Sequence, residues 1–221
     1  DILEIGIPYT DPVCDGDVFQ RACKRALENG ITPLDVFEGI KQLTIDNKQL
    51  TIYLTSYYAP IFKMGIANVV KKAKEVGVTG LIIPDILLEE QDELRKVSKR
   101  YGLSVIKFAT VYSSKKRLKQ IIEASTGFIY CVSLPGVTGD RSDYSKLLKL
   151  LKTLKSLTDK KIYVGFGIKS EADVKSILGM GADGVIVGSA IARMYEKYID
   201  DPKKSLGEIG SFVKKLKEST I

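Results

Sequence analysis

Apolar residues recur along the chain at two periods that take turns. Short dense runs at residues 2–7, 52–57, 80–85, 103–109, 128–132, 161–166 and 184–187 have the length and content of strands. The continuous apolar run at 80–85 suits a strand buried on both faces. Between these runs the apolar positions fall three and four apart, with lysines and acids filling the rest, over 18–28, from Thr32 onward, and over 66–76, 89–101, 115–124, 142–157 and 171–178, then 190–195 and 202–217. That spacing predicts helices with one apolar face.

Helix ends are marked as well. Asn29-Gly30 closes the first helix. Thr32-Pro33-Leu34-Asp35 opens the second, with threonine as N-cap, proline at the first helical position and an acid three residues past the cap; Ser170-Glu171-Ala172-Asp173 opens a later one in the same manner. One joint repeats: Val76-Gly77-Val78-Thr79-Gly80-Leu81-Ile82 is echoed by Met180-Gly181-Ala182-Asp183-Gly184-Val185-Ile186, with glycine after a helix and again at strand entry. Strands alternating with helices without a break predict a parallel sheet, open or closed into a barrel. At 221 residues with 44% hydrophobic content, the chain can bury a full core, and one domain is expected.

Composition narrows the chemistry. The formal charge of +7 comes from lysines spread over the helices among many acids, with no nucleic-acid motif and no stripe of alternating aromatic and basic residues. This balance favours anionic small molecules over nucleic acid. Cys14, Cys23 and Cys131 are unclustered and odd in number, which predicts neither a disulfide framework nor a zinc pattern and fits a reducing cytoplasm. No apolar run approaches the roughly 18 residues of a membrane span. The chain contains no histidine, so the usual general base and the commonest metal ligand are missing. Any proton transfer falls to carboxylates or tyrosine.

Two places could carry chemistry. In the first strand, side-chain alternation puts Leu3, Ile5 and Ile7 on one face and Ile2, Glu4 and Gly6 on the other, so Glu4 is a carboxylate on an otherwise apolar strand. In a parallel barrel it would project into the interior near the functional end, with Asp15 on the following loop. A satisfied structural carboxylate at Glu4 and a plain turn residue at Asp15 are the alternatives. Late in the chain, Val164-Gly165-Phe166-Gly167-Ile168-Lys169-Ser170 and Val187-Gly188-Ser189-Ala190-Ile191 each end a strand on glycines, where backbone N–H groups and a helix N-terminus can hold a phosphate. A dinucleotide fingerprint or simple tight turns are the competing readings. A third glycine loop, residues 134–141, reads as a lid with or without ligand contact. Tyr130 shares its strand face with Phe128 and Val132 and reads as a core aromatic.

Taken together, the stretch Glu4-Ile5-Gly6-Ile7-Pro8-Tyr9-Thr10-Asp11-Pro12-Val13-Cys14-Asp15-Gly16, Pro84-Asp85 with Glu89-Glu90, Gly136-Val137-Thr138-Gly139, Gly165-Phe166-Gly167-Ile168 and Gly188-Ser189-Ala190-Ile191 resemble the tryptophan synthase α subunit family over essentially the whole chain. The resemblance implies an α/β TIM (β/α)8 barrel. It also implies retro-aldol cleavage of indole-3-glycerol phosphate to indole and glyceraldehyde 3-phosphate, with neither metal nor organic cofactor, in an α2β2 complex with a β subunit. Glu4 would then be the proton shuttle and Asp15 the group that holds the indole N–H. Tyr130 would line the indole pocket, while Gly139, Gly167, Gly188 and Ser189 would fall on phosphate-binding positions.

The chain departs from the family pattern in places. Asp17 stands where proline is usual, Ala59 where asparagine is usual near the partner face, and Thr110-Val111 where Ala-Pro is usual. The family's first strand and helix lack a counterpart here, so Glu4 is expected on the second strand of a barrel whose first is absent from this sequence. Other phosphate-binding barrels, a sugar-phosphate isomerase or a prenyl transferase, account for the late glycine loops but not for Glu4 and Asp15. A third possibility is a weakly catalytic protein that chiefly activates its partner.

Overall fold

The computed structural model describes residues 1–47, 49–132, 141–165 and 167–220, with the backbone alone for 141–143. Seven strands and ten α-helices alternate among them: β1 Ile2–Gly6, α1 Asp17–Glu28, α2 Pro33–Asp46, β2 Thr51–Thr55, α3 Tyr58–Met64, α4 Ile66–Glu75, β3 Gly80–Ile82, α5 Asp92–Tyr101, β4 Ser104–Thr110, α6 Lys115–Ala124, β5 Ile129–Val132, α7 Arg141–Lys155, β6 Ile162–Gly165, α8 Glu171–Gly179, β7 Gly184–Ile186, α9 Ser189–Lys197 and α10 Pro202–Glu218. A 3-10 turn at Leu88–Glu90 precedes α5.

The chain folds into two compact units, Asp1–Lys107 with Glu123–Gly127, and Phe108–Ile122 with Phe128–Ile221. In the first, β1, β2, β3 and β4 pair in chain order, all parallel, with Glu4 beside Tyr53, Tyr53 beside Gly80, and Gly80 beside Ser104. Paired positions in a parallel ladder point the same way, so this row and the next, Gly6, Thr55 and Ile82, form one face. The opposite face supplies the core. Ile7, Ile52, Leu54, Leu81 and Val105 bury themselves against Phe37 and Ile40 of α2, Ile61 of α3, Val69, Val70 and Ala73 of α4, and Leu94 of α5. Along β1 the apolar face is packed only toward its end: Leu3 is 37% exposed and Ile7 4%. Among the described residues β1 pairs with β2 and no other strand, so its early residues have a neighbour on one side only.

In the second unit β5, β6 and β7 form a parallel ladder, with Tyr130 beside Tyr163 and Tyr163 beside Gly184. Ile129, Cys131, Ile162 and Val164 are buried on one face, as are Leu151 and Leu154 of α7 and Val174 and Ile177 of α8.

Local signals act as the sequence implies. Thr32 and Asp35 form a reciprocal capping box on α2, and Ser170 and Asp173 form one on α8. The repeated joint has one physical basis in both copies: Gly77 at φ +88° and Gly181 at +98° turn the chain in the left-handed region after a helix. At strand entry, a Cβ on Gly80 would sit 2.6 Å from the ring of Tyr53, and one on Gly184 would sit 3.0 Å from Tyr163. Helix α3 has no counterpart in the apolar pattern. It is seven residues long and holds Pro60 in its first turn, where the missing N–H costs nothing. Its leading N–H, from Tyr58, is taken by Asp85 at 2.8 Å, a partner 27 residues away.

Candidate active site

The first unit gathers the carboxylates at the ends of β1 and β2. Glu4 Oε1 accepts a hydrogen bond from Thr55 Oγ1 at 2.5 Å. The Glu4 residue keeps solvent access, yet the protein around its carboxyl displaces most of the water. Burial therefore raises its pKa above the ordinary glutamate value; the Thr55 hydrogen bond opposes the rise and the charge of Asp15 adds to it.

Asp15 is held by an aromatic post. Tyr57, 5% exposed at the end of β2, donates its hydroxyl to Asp15 Oδ2 at 3.0 Å and accepts the backbone N–H of Cys14 at 2.9 Å. Its ring packs on Tyr9 with centroids 5.4 Å apart. One tyrosine thus fixes both the peptide and the carboxylate of the loop after β1. Burial also raises the Asp15 carboxyl, with the Tyr57 hydrogen bond working against it, and burial with the adjacent Asp15 charge drives the Tyr57 phenol well above its usual range. Asp85 belongs to the same end of the unit: its charge, with burial as the larger cause and Asp15 adding, raises the Cys14 thiol.

The late glycine loops lie in the second unit. Gly167 follows β6 at φ +79°, in the left-handed region. Next to it, the backbone N–H groups of Lys169 and Ser170 are both taken by Asp173 Oδ2 at 2.9 Å, so the start of α8 is already satisfied from within. The start of α9 is different. Gly188 is its N-cap and supplies no side-chain hydrogen bond, with Ser189 at the first helical position. Of the two helix starts, α9 is the one whose N–H groups carry no side-chain cap. Tyr130 packs between Phe108 and Phe128, at centroid distances of 4.8 and 6.3 Å. A Cβ on Gly165 would come within 2.5 Å of its ring and hydroxyl, so the glycine makes room for this ring. Gly139, with the rest of the loop at 134–140, and Phe166 lie outside the described residues.

Two side chains in this arrangement belong to no motif in the sequence. Thr55 and Tyr57 are ordinary strand residues in sequence, and only the β1–β2 register brings them to Glu4 and Asp15. Asp85 could be noticed as an acid ending an apolar strand, without any indication that it caps α3. Among the described residues no group of three or more cysteine, aspartate or glutamate side chains is arranged to hold a metal ion, and no helix is long and apolar enough to cross a membrane.

Residues 1–221 match the family model described as tryptophan synthase alpha chain. The chain belongs to the tryptophan synthase alpha chain family. Among similar proteins, the tryptophan synthase alpha chain of Methanocaldococcus jannaschii is 43% identical over 202 residues, covering 91% of this chain and 72% of that one. The alpha chain of Arabidopsis thaliana is 38% identical over 222 residues, covering 100% and 80%. A solved structure from Aquifex aeolicus has a TM-score of 0.90 at 36% identity, covering 99% of this chain and 81% of that one. A structure of the Pyrococcus furiosus tryptophan synthase a2b2 complex, described as showing its mutual activation, gives 0.87 at 31%, covering 97% and 85%. The alternating strands and helices are therefore those of a TIM (β/α) barrel fold. Membership of the tryptophan synthase alpha chain family places the chain in tryptophan biosynthesis, in a lyase role.

Proposed function

We propose that this chain cleaves indole-3-glycerol phosphate by a retro-aldol reaction into indole and glyceraldehyde 3-phosphate, in the cytoplasm and in an α2β2 complex with a β subunit that consumes the indole. The observation that carries this reading is the pair Glu4 and Asp15: a desolvated glutamate whose proton is held more tightly than usual, next to a second carboxylate fixed by Tyr57.

In this scheme protonated Glu4 gives its proton to indole C3. The positive charge that then develops on the ring nitrogen is stabilised by Asp15, which accepts the ring N–H. Glu4, now a carboxylate, takes the proton of the glycerol hydroxyl. The C–C bond to C3 breaks, its electrons neutralise the ring, and an aldehyde forms on the leaving fragment. The proton given and the proton taken balance, so Glu4 ends as it began. A raised pKa suits this double duty, because a group that titrates near the working pH serves as acid and base in one turnover. Tyr130 faces the indole ring, and Gly139, Gly167, Gly188 and Ser189 take the phosphate, the start of α9 offering backbone N–H groups free of a side-chain cap. The scheme uses neither metal nor organic cofactor.

Glu4→Gln keeps the shape of the side chain and removes the proton. Indole release from indole-3-glycerol phosphate, measured with the β subunit present, should fall by roughly 10²–10⁴-fold. Near-normal release overturns the assignment. Omitting the β subunit from the wild-type assay tests the partner: unchanged activity in its absence would remove any activating role.

A further inference from the structure

Glu4 carries a demand that its strand does not meet. The side chain must present a carboxylate in one place whether or not it holds a proton, yet β1 pairs only with β2 among the described residues, and its neighbours on the same face, Ile2 and Gly6, offer no polar group. We propose that Thr55 is the positioning residue for Glu4, its hydroxyl holding the carboxyl group toward the end of β1 through both protonation states.

The register explains why Thr55 can reach. Directly beside Glu4 stands Tyr53, whereas Thr55 stands beside Gly6, one step further along the same face. Because Gly6 has no side chain, Glu4 is the residue of β1 that meets the hydroxyl, by leaning forward along the strand. The contact is 2.5 Å from Thr55 Oγ1 to Glu4 Oε1. Threonine suits the task for two reasons. Its β-branched side chain is stiff at χ1, which fixes the direction of the oxygen. Its hydroxyl can donate to the carboxylate and can rotate to accept from the carboxylic acid, so the contact survives each proton transfer. The two states are not held equally, since a hydrogen bond to the ionised form is the stronger one. Thr55 therefore restrains the rise that burial and Asp15 impose on Glu4, keeping the group able to act as a base.

This inference rests on the acid–base reading of Glu4, and two measurements separate them. The first is independent of activity: the full-length chain is labelled with ¹³C at glutamate carboxyl carbons and titrated, the Glu4 signal being the one absent from Glu4→Gln. In Thr55→Val, which keeps the size and β-branching of the side chain, the Glu4 midpoint should move to higher pH, and Thr55→Ser should return it toward the wild-type position. The second is the pH profile of kcat/KM for indole release with the β subunit present. Its alkaline limb, where activity falls as Glu4 loses the proton it must donate, should move up in Thr55→Val by the same amount and recover in Thr55→Ser.

An unmoved Glu4 midpoint in a folded Thr55→Val protein overturns the contact. A moved midpoint with an unmoved profile overturns the role of Thr55 in turnover while leaving the contact standing. Retained turnover in Glu4→Gln overturns the acid–base reading itself, and the titration still decides whether Thr55 holds Glu4.

Discussion

Glu4 is conspicuous in the sequence alone, because a carboxylate interrupts an apolar strand at a position whose side-chain direction follows from simple alternation. Its surroundings were not legible: Thr55 and Tyr57 reach the site through the pairing of β1 with β2, at sequence separations of 51 and 42 residues. Burial raises the Asp15 carboxyl as well, while Tyr57 holds it back, so the two carboxylates differ in partner, not in the direction of the shift. The raised Glu4 has a thermodynamic signature. Between the unfolded-state pKa of a glutamate and its own raised value the native protein binds more protons than the unfolded chain, so this residue's contribution to stability falls as pH rises through that window. Glu4→Gln should therefore raise the midpoint of thermal unfolding at pH 7, a gain that shrinks when the melt is repeated near pH 4.

At the level of elements, capping and joints were readable because their causes are local, as at Thr32–Asp35 and Ser170–Asp173. Helix α3 was not, since its first N–H depends on Asp85 from the next strand–loop unit. The same limit applies to Lys107. In β4 it shares the core-facing side of the strand with Val105 and Ala109, is 3% exposed, and its Nζ lacks a hydrogen-bond partner. Burial, with the charge of Arg95 adding to it, lowers its pKa to about 8. Between about pH 8 and the ordinary lysine value the unfolded chain holds a proton that the native state does not, so stability should climb with pH across that window. Lys107→Met should raise the denaturation midpoint at pH 7 and flatten the climb; a lowered midpoint would show that the ammonium finds a partner in solution. Asp183 works in the opposite sense. At the entry to β7 it accepts from Lys155 of α7 and from the N–H of Ile162 in β6. Burial would raise its carboxyl, but these bonds, the charge of Lys155 and the bond from Lys161 leave it lowered. Asp183→Ala removes a tie among three elements and should cost about 1–3 kcal/mol in urea denaturation at pH 7, a cost that fades as pH falls below the usual aspartate range.

At the scale of the whole chain, the order of elements and the fold class followed from the alternation of periods, because each strand and helix announces itself within a dozen residues. Which unit holds which candidate residue did not follow: Glu4 and Asp15 belong to the first unit, and Tyr130, Gly167 and Gly188 to the second. Both units use one packing device. A tyrosine on one strand lays its ring where the next strand has glycine, as Tyr53 does at Gly80, Tyr130 at Gly165 and Tyr163 at Gly184. At Gly165 the three nearest atoms in the way belong to Tyr130. Gly165→Ala alone should lower the denaturation midpoint, and it should do so far less in a background where Tyr130 is already alanine, giving a favourable coupling in the double-mutant cycle. The wider consequence concerns how such a sequence can drift. Neither member of the pair can change by itself without a clash or a hole, so the route to a different side chain at this point of the sheet runs through two substitutions that rescue each other, and the order in which they arrive is constrained: the ring must shrink before the glycine can grow.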